Sequence, residues 1–233
     1  SLHVKNLYPI FFTALEQPKV LINRIGGVSY DSKQNILSEK EALHILKSVD
    51  KLIIKPTSGS CGGDGIKIVS PHSCSVEDIA NILKDYGHSY ICQEILEQSE
   101  LTAQFNRTSL NTFRINTLNL NGKITVENIM FRHGRNNSIV DNFGLGGVCC
   151  GVNNDGTFIG RAIDASLNNY DKTPFGASYC DIAIPETSII VDYAIRAHRQ
   201  YLPMIGHAAW DFALSETNNP VFIEVNLGWP GLV

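Results

Sequence analysis

The sequence predicts an α+β protein built from antiparallel sheets, and three observations carry that expectation. Two turn signals, Asn121-Gly122 and Asn154-Asp155-Gly156, each separate runs rich in apolar and β-branched residues, the pattern of β-hairpins. Two capped helices alternate with short strands in the first part of the chain. A single long helix comes late, starting at Pro185, where proline suits a first helical turn.

Taken in order, Leu2 to Glu16 places Val4, Leu7, Tyr8, Phe11, Phe12 and Leu15 at the three-and-four spacing of an amphipathic helix. Val20-Leu21-Ile22 reads as a strand. Ser38 and Glu41 form a capping box that opens a helix to about Val49, and Ser75 with Asp78 opens another to about Tyr86. Between and after them, strands are expected at Lys51 to Lys55, Ile66 to Val69 and Tyr90 to Glu94. Hairpins then follow at Thr112 to Leu120 with Lys123 to Phe131, and at Gly147 to Val152 with Thr157 to Ile163. The late helix runs from Pro185 to Tyr201, with Arg196 to Arg199 read as its solvated face. Strands at about Ala208 to Leu214 and Val221 to Val225 complete a small sheet with two helices, followed by a larger antiparallel sheet.

Composition excludes several classes of function. The 233 residues carry 19 Lys+Arg against 23 Asp+Glu, a formal charge of −4, which lacks the basic excess of a nucleic-acid binder. A hydrophobic fraction of 43% with 18% charged residues describes a globular interior rather than disorder. No apolar run approaches the ~20 residues that span a bilayer. Six cysteines without CxxC spacing read as reduced structural thiols, so a cytoplasmic location is expected. Because the chain opens at Ser1 rather than Met, residues upstream are expected as well.

Two regions concentrate chemistry. In Lys55-Pro56-Thr57-Ser58-Gly59-Ser60-Cys61-Gly62-Gly63-Asp64-Gly65, glycines let the backbone N–H groups approach a polyphosphate and the lysine adds a positive charge. The spacing is neither a P-loop nor G-x-G-x-x-G, and a strand follows it, so a hairpin flap over phosphates is the functional reading and a plain flexible loop the structural one. Near the other end, strand alternation puts Glu224 and Asn226 on one face, and a turn near Thr217 and Asn218 sets Asp211 opposite Glu224. Opposed carboxylates need a cation, and an oxygen-only donor set suits Mg²⁺. With another register, these would be exposed strand carboxylates.

Together with Lys5-Asn6-Leu7-Tyr8, Gln93-Glu94-Ile95-Leu96, Asn111-Thr112-Phe113-Arg114-Ile115 and Val140-Asp141-Asn142-Phe143-Gly144-Leu145-Gly146-Gly147, these motifs resemble the ATP-grasp family in its sugar-transfer-associated, glutamate-ligase-related variant. The resemblance implies two α+β lobes, 1–95 with the flap and 96–233 with the metal, holding nucleotide between them. It further implies that Lys5 and Lys55 reach the ATP phosphates, with Lys19 competing for the role of Lys5, beneath a flap of Ser60, Gly62, Gly63 and Gly65. Gln93, Glu94 and Leu96 meet the adenine edge, Glu97 or Glu100 holds the ribose, and Asn142 lies near the site. Asp211, Glu224 and Asn226 are the implied ligands of Mg²⁺, with Mn²⁺ as a substitute. Arg114 and Arg132, with Lys55, are the implied catalytic cations; their structural alternative is pairing with surface acids. The implied activity is an ATP-dependent carboxylate–amine ligase working through an acyl phosphate, with a small-molecule carboxylate and an amine or sugar-linked acceptor as partners, in polysaccharide or peptide-like metabolite synthesis. A kinase acting on a hydroxyl and a non-catalytic nucleotide-binding module are the competing activities. On this resemblance the chain is the catalytic core of a longer protein.

Overall fold

The computed structural model describes residues 4–57 and 65–227. The chain divides into two compact units, Ser1–Thr13 with Gln17–Leu96, and Ala14–Glu16 with Glu97–Val233.

The first unit opens with a 3-10 turn, Lys5–Leu7, and a single helical turn, α1 (Tyr8–Phe11). The long helix expected over Leu2 to Glu16 is therefore replaced by a short one. Tyr8 and Phe12 are buried, but Ile10 and Phe11 are 41% and 52% exposed, so the apolar spacing has no continuous face to cover and the helix stops at Phe12. Strands β1 (Val20–Ile25), β2 (Val28–Tyr30) and β3 (Ile36–Leu37) follow, then α2 (Glu39–Lys47), β4 (Leu52–Pro56), β5 (Lys67–Val69), α3 (Val76–Asp85) and β6 (Tyr90–Glu94). Both expected capping boxes form: the Ser38 and Ser75 hydroxyls accept from the backbone N–H of Glu41 and Asp78, whose carboxylates return the bond. The six strands make an antiparallel sheet in the order β3-β2-β1-β6-β4-β5. Helices α2 and α3 cover one face, packing Leu46, Ile79 and Leu83 on Ile22, Leu52, Ile54 and Cys92. Because side chains alternate, Lys55 and Gln93 project from the opposite face.

The second unit comprises a short helix α4 (Glu100–Ala103), strands β7 (Thr112–Leu120), β8 (Lys123–His133), β9 (Val148–Val152), β10 (Phe158–Ile163) and β11 (Asn169–Tyr170), the long helix α5 (Thr187–Tyr201), and strands β12 (His207–Leu214) and β13 (Pro220–Asn226). Its sheet runs β11-β10-β9-β8-β7-β12-β13. Asn121 and Gly122, at φ 54° and 84°, make the expected two-residue turn, whose twist matches the flanking strands. Helix α5 backs one face of this sheet, bringing Tyr193 to Phe212 and His198 to Trp210. His198 is thus fully buried rather than part of a solvated face: its Nε2 meets the Ile205 carbonyl and its Nδ1 the Thr117 hydroxyl, which also accepts from Trp210 Nε1. With Trp210 and Phe212 turned to α5, Asp211 between them faces the other side. No helix among the described residues is long and apolar enough to cross a membrane.

Candidate functional site

The sequence-predicted residues fall into two groups, one on each unit. In the first unit, the Lys5 backbone N–H donates to the Thr57 carbonyl at 3.2 Å, tying the opening turn to the end of the strand that carries Lys55. Ser60, Gly62 and Gly63 lie outside the described residues. Gly65, where the description resumes, accepts from the Tyr86 hydroxyl at 2.7 Å. On β6, Gln93 is buried and its amide donates to the Pro18 carbonyl. Glu94 receives Lys19 Nζ at 2.6 Å and its own N–H donates to the Lys19 carbonyl, so Lys19 is spent on Glu94. Leu96 ends this unit.

In the second unit, Glu100 forms a bidentate ion pair with Arg107, at 2.9 and 2.6 Å. The Glu97 carbonyl accepts from the Glu216 N–H. Asn142 precedes a 3-10 turn, and its carbonyl accepts from Leu145 and Gly147.

The remaining residues meet on the face of the sheet away from α5. β12 pairs with β13 so that Asp211 is directly across from Glu224, with a bulge immediately after, and on its other side Asp211 is across from Arg114 of β7. Arg114 Nε and Nη2 donate to Asp211 Oδ1 and Oδ2 at 2.9 and 2.8 Å, and Arg132 Nη2 lies 2.9 Å from Oδ2. The carboxylate is 1% exposed. Burial pushes its pKa up, but the guanidiniums of Arg132 and Arg114 outweigh that and hold it below the usual carboxylate range. Surface acids are therefore not the partners of these arginines; both share the buried Asp211, and Arg132 Nε also lies 3.8 Å from Asp141 Oδ2.

Both arginines are gripped by their Nε/Nη2 edge. In each, Nη1 makes no hydrogen bond among the described residues, and neither Nη1 belongs to the sealed, unpartnered polar atoms. Two guanidiniums thus lie together with their Nη1 ends uncommitted, an arrangement that suits an anion.

Two residues that sequence reasoning did not single out complete the cluster. Thr112 donates to Asp141 Oδ2 and accepts from Arg132. Burial drives the Asp141 carboxyl above its ordinary range, against the pull of Arg132 and Thr112. Their only sequence signal is adjacency, Thr112 two residues before Arg114 on the same strand face and Asp141 just before Asn142.

A divalent cation is compatible with this set on donor chemistry. Glu224 and Asn226 share a face and are half-buried, and the Asn226 amide donates to Glu224 Oε1 at 3.1 Å, so a cation between them requires only an amide flip. Asp211 has three of its roughly four lone-pair positions engaged, leaving one. No group of three or more His, Cys, Asp or Glu side chains among the described residues forms a metal cage. Few protein oxygens, complemented by water and phosphate, is the coordination Mg²⁺ favours.

The profile of the sugar-transfer-associated ATP-grasp family matches residues 10–233. Among solved structures, the chain is similar to an L-amino acid ligase from Bacillus licheniformis, at 16% identity and a TM-score of 0.55, covering 99% of this chain and 41% of that one. It is also similar to D-alanyl-alanine synthetase A from Vibrio cholerae, at 13% identity and a TM-score of 0.56, covering 97% and 55%. A third similar structure is N5-carboxyaminoimidazole synthetase from Staphylococcus aureus complexed with ADP, at 11% identity and a TM-score of 0.55, covering 99% and 46%. The chain thus spans roughly half of each of these proteins. No curated protein sequence matches it.

Proposed function

Because this chain belongs to the sugar-transfer-associated ATP-grasp family and has the ATP-grasp fold, we propose that it is the core of an ATP- and Mg²⁺-dependent ligase. It activates a small-molecule carboxylate as an acyl phosphate and joins it to an amine or a sugar-linked acceptor. The observation that carries this reading is the pair of guanidiniums clamped on Asp211, which lies directly across the ladder from Glu224.

In the proposed reaction a substrate carboxylate oxygen attacks the γ-phosphorus and ADP leaves. The acceptor nitrogen then attacks the acyl carbon, phosphate leaves, and the amine gives up a proton. Negative charge builds on the phosphoryl oxygens in the first step and on the carbonyl oxygen in the second. Arg114 and Arg132 stabilise that charge without reorganising, because their other edges are already fixed. Lys55 and Lys5 neutralise the nucleotide phosphates, and the backbone of Ser60, Gly62, Gly63 and Gly65 covers them. Gln93, Glu94 and Leu96 take the adenine edge. Glu97 is preferred to Glu100 for the ribose, since Glu100 is engaged by Arg107. Asn142 lies near the nucleotide. Glu224, Asn226 and the remaining lone pair of Asp211 would hold Mg²⁺, which would neutralise charge on the phosphates.

Calorimetry with a nonhydrolysable ATP analogue tests the reading. Binding is expected with Mg²⁺, to be at least tenfold weaker without it, and to exceed binding of the GTP counterpart. Glu224→Ala is expected to remove the Mg²⁺ dependence. No binding at millimolar nucleotide, or full Mg²⁺ dependence in Glu224→Ala, rejects the assignment. Product analysis separates ligase from kinase, since a ligase releases phosphate only when carboxylate and acceptor are both present.

A further inference from the structure

Arg132 is held by a hydroxyl as well as by carboxylates. It lies directly across the β7–β8 ladder from Thr112, and its Nε and Nη2 donate to Thr112 Oγ1 at 3.2 and 2.8 Å. A hydroxyl has one hydrogen, and that of Thr112 goes to Asp141 Oδ2. The lone pairs of Oγ1 are therefore what the guanidinium meets. Asp141 Oδ2 itself is 3.8 Å from Arg132 Nε, so this carboxylate acts on Arg132 both directly, by its charge, and through the threonine.

Asp141 is in turn fixed by its own turn. A Cβ on Gly147 would fall 2.3 Å from the Asp141 carbonyl oxygen, so the backbone there closes on itself in a way that only glycine permits. The Gly147 N–H donates to the Asn142 carbonyl at 3.0 Å, closing the same turn.

Asp211 is shared by Arg114 and Arg132, so Asp141 balances the second guanidinium, and through Thr112 it also orients it. With Thr112 and Asp211 both on the Nε/Nη2 edge, the guanidinium plane cannot rotate and Nη1 is left to project from the cluster.

We infer that Thr112 and Asp141 are positioning residues for phosphoryl transfer: Asp141 orients the Thr112 hydroxyl, and Thr112 locks Arg132 so that its Nη1 end meets the terminal phosphoryl group of the nucleotide. This inference rests on the ligase reading above.

The test compares Mg²⁺-dependent binding of a nonhydrolysable ATP analogue and of ADP, with thermal melting of each variant. Thr112→Val keeps the side-chain volume and removes the hydroxyl. It is expected to weaken the triphosphate analogue about tenfold while ADP changes by less than about twofold, the size of effect that one charge-assisted hydrogen bond accounts for. Thr112→Ser, which restores the hydroxyl, should restore the ratio. Asp141→Asn, which can still accept from Thr112, should shift the ratio in the same direction by a smaller factor and provides the reading should Thr112→Val fail to fold. A purely structural role would lower the melting temperature and weaken both nucleotides equally, or leave both unchanged. Either result, or failure of serine to rescue, overturns the positioning role while the ligase reading stands. If the wild-type protein binds neither nucleotide, the ligase reading falls and the positioning role falls with it.

Discussion

Replacing Asp211 by alanine is expected to destabilise the protein by about 3–5 kcal/mol, because removing the carboxylate that two buried guanidiniums share leaves them short of counter-charge and little exposed to water. Arg114 and Arg132 are 9% and 6% exposed at their side chains, so neither can recover hydration by a small movement. Glu224→Ala, on the same ladder but half-buried, should cost ~1 kcal/mol or less, because water can replace the lost carboxylate. Urea unfolding of the two variants separates the roles. Comparable losses would mean that Asp211 does not anchor the arginines. The same carboxylate sets an acid limit: its pKa is depressed in the folded state, so its stabilisation is complete above the ordinary aspartate range near pH 4 and is lost as pH falls through the lower, folded value.

A second large effect is expected between pH 4 and 6.5, from His133. Its ring is 1% exposed, lying 5.4 Å from the Phe105 ring and 6.1 Å from that of Phe131. Burial holds the imidazole down to about 4, assisted by the positive charge of Arg135 and opposed by the Gly134 carbonyl. Nδ1 donates to that carbonyl at 2.8 Å, so Nε2 accepts from the Tyr179 hydroxyl at 2.7 Å and the neutral tautomer is the one the site accommodates. The unfolded chain takes up a proton near pH 6.5 and the native protein does not, so stability is full above that value and declines as pH falls toward 4. The shift corresponds to ~3 kcal/mol across the window. Stability measured against pH in the wild type and in His133→Gln should show this limb in the first and not in the second. A limb of equal size in both would assign it to other groups.

Much of the fold was legible because its signals are local. The capping boxes at Ser38 and Ser75, the Asn121-Gly122 turn and the strand alternation from Thr112 to Phe131 need only neighbours within a few residues. The opening helix failed for the converse reason. Its periodicity was present, but whether a face exists to cover Ile10 and Phe11 is not a local property, and of the described apolar residues there only Tyr8 and Phe12 are buried. The β1–β2 hairpin likewise turns on a local signal, Gly26-Gly27 at φ 58° and 91°, whereas β3 and β11, two residues each, have too little pattern to read.

At the site, the sequence by itself determined which residue types are available and which share a strand face: Glu224 with Asn226, and Asp211 opposite Glu224 once the intervening turn is short. Those relations follow from a repeat of two residues and a tight reversal, and both survive whatever surrounds them. The tertiary structure alone decided that the charge facing Asp211 comes from Arg114 and Arg132 across β7 and β8, and that Thr112 and Asp141 stand behind Arg132. Arg114 and Asp211 are 97 residues apart, and their contact exists only because β12 docks beside β7 in one register. That choice is made by burying Phe113, Ile115, Trp210 and Phe212, side chains that take no part in the site.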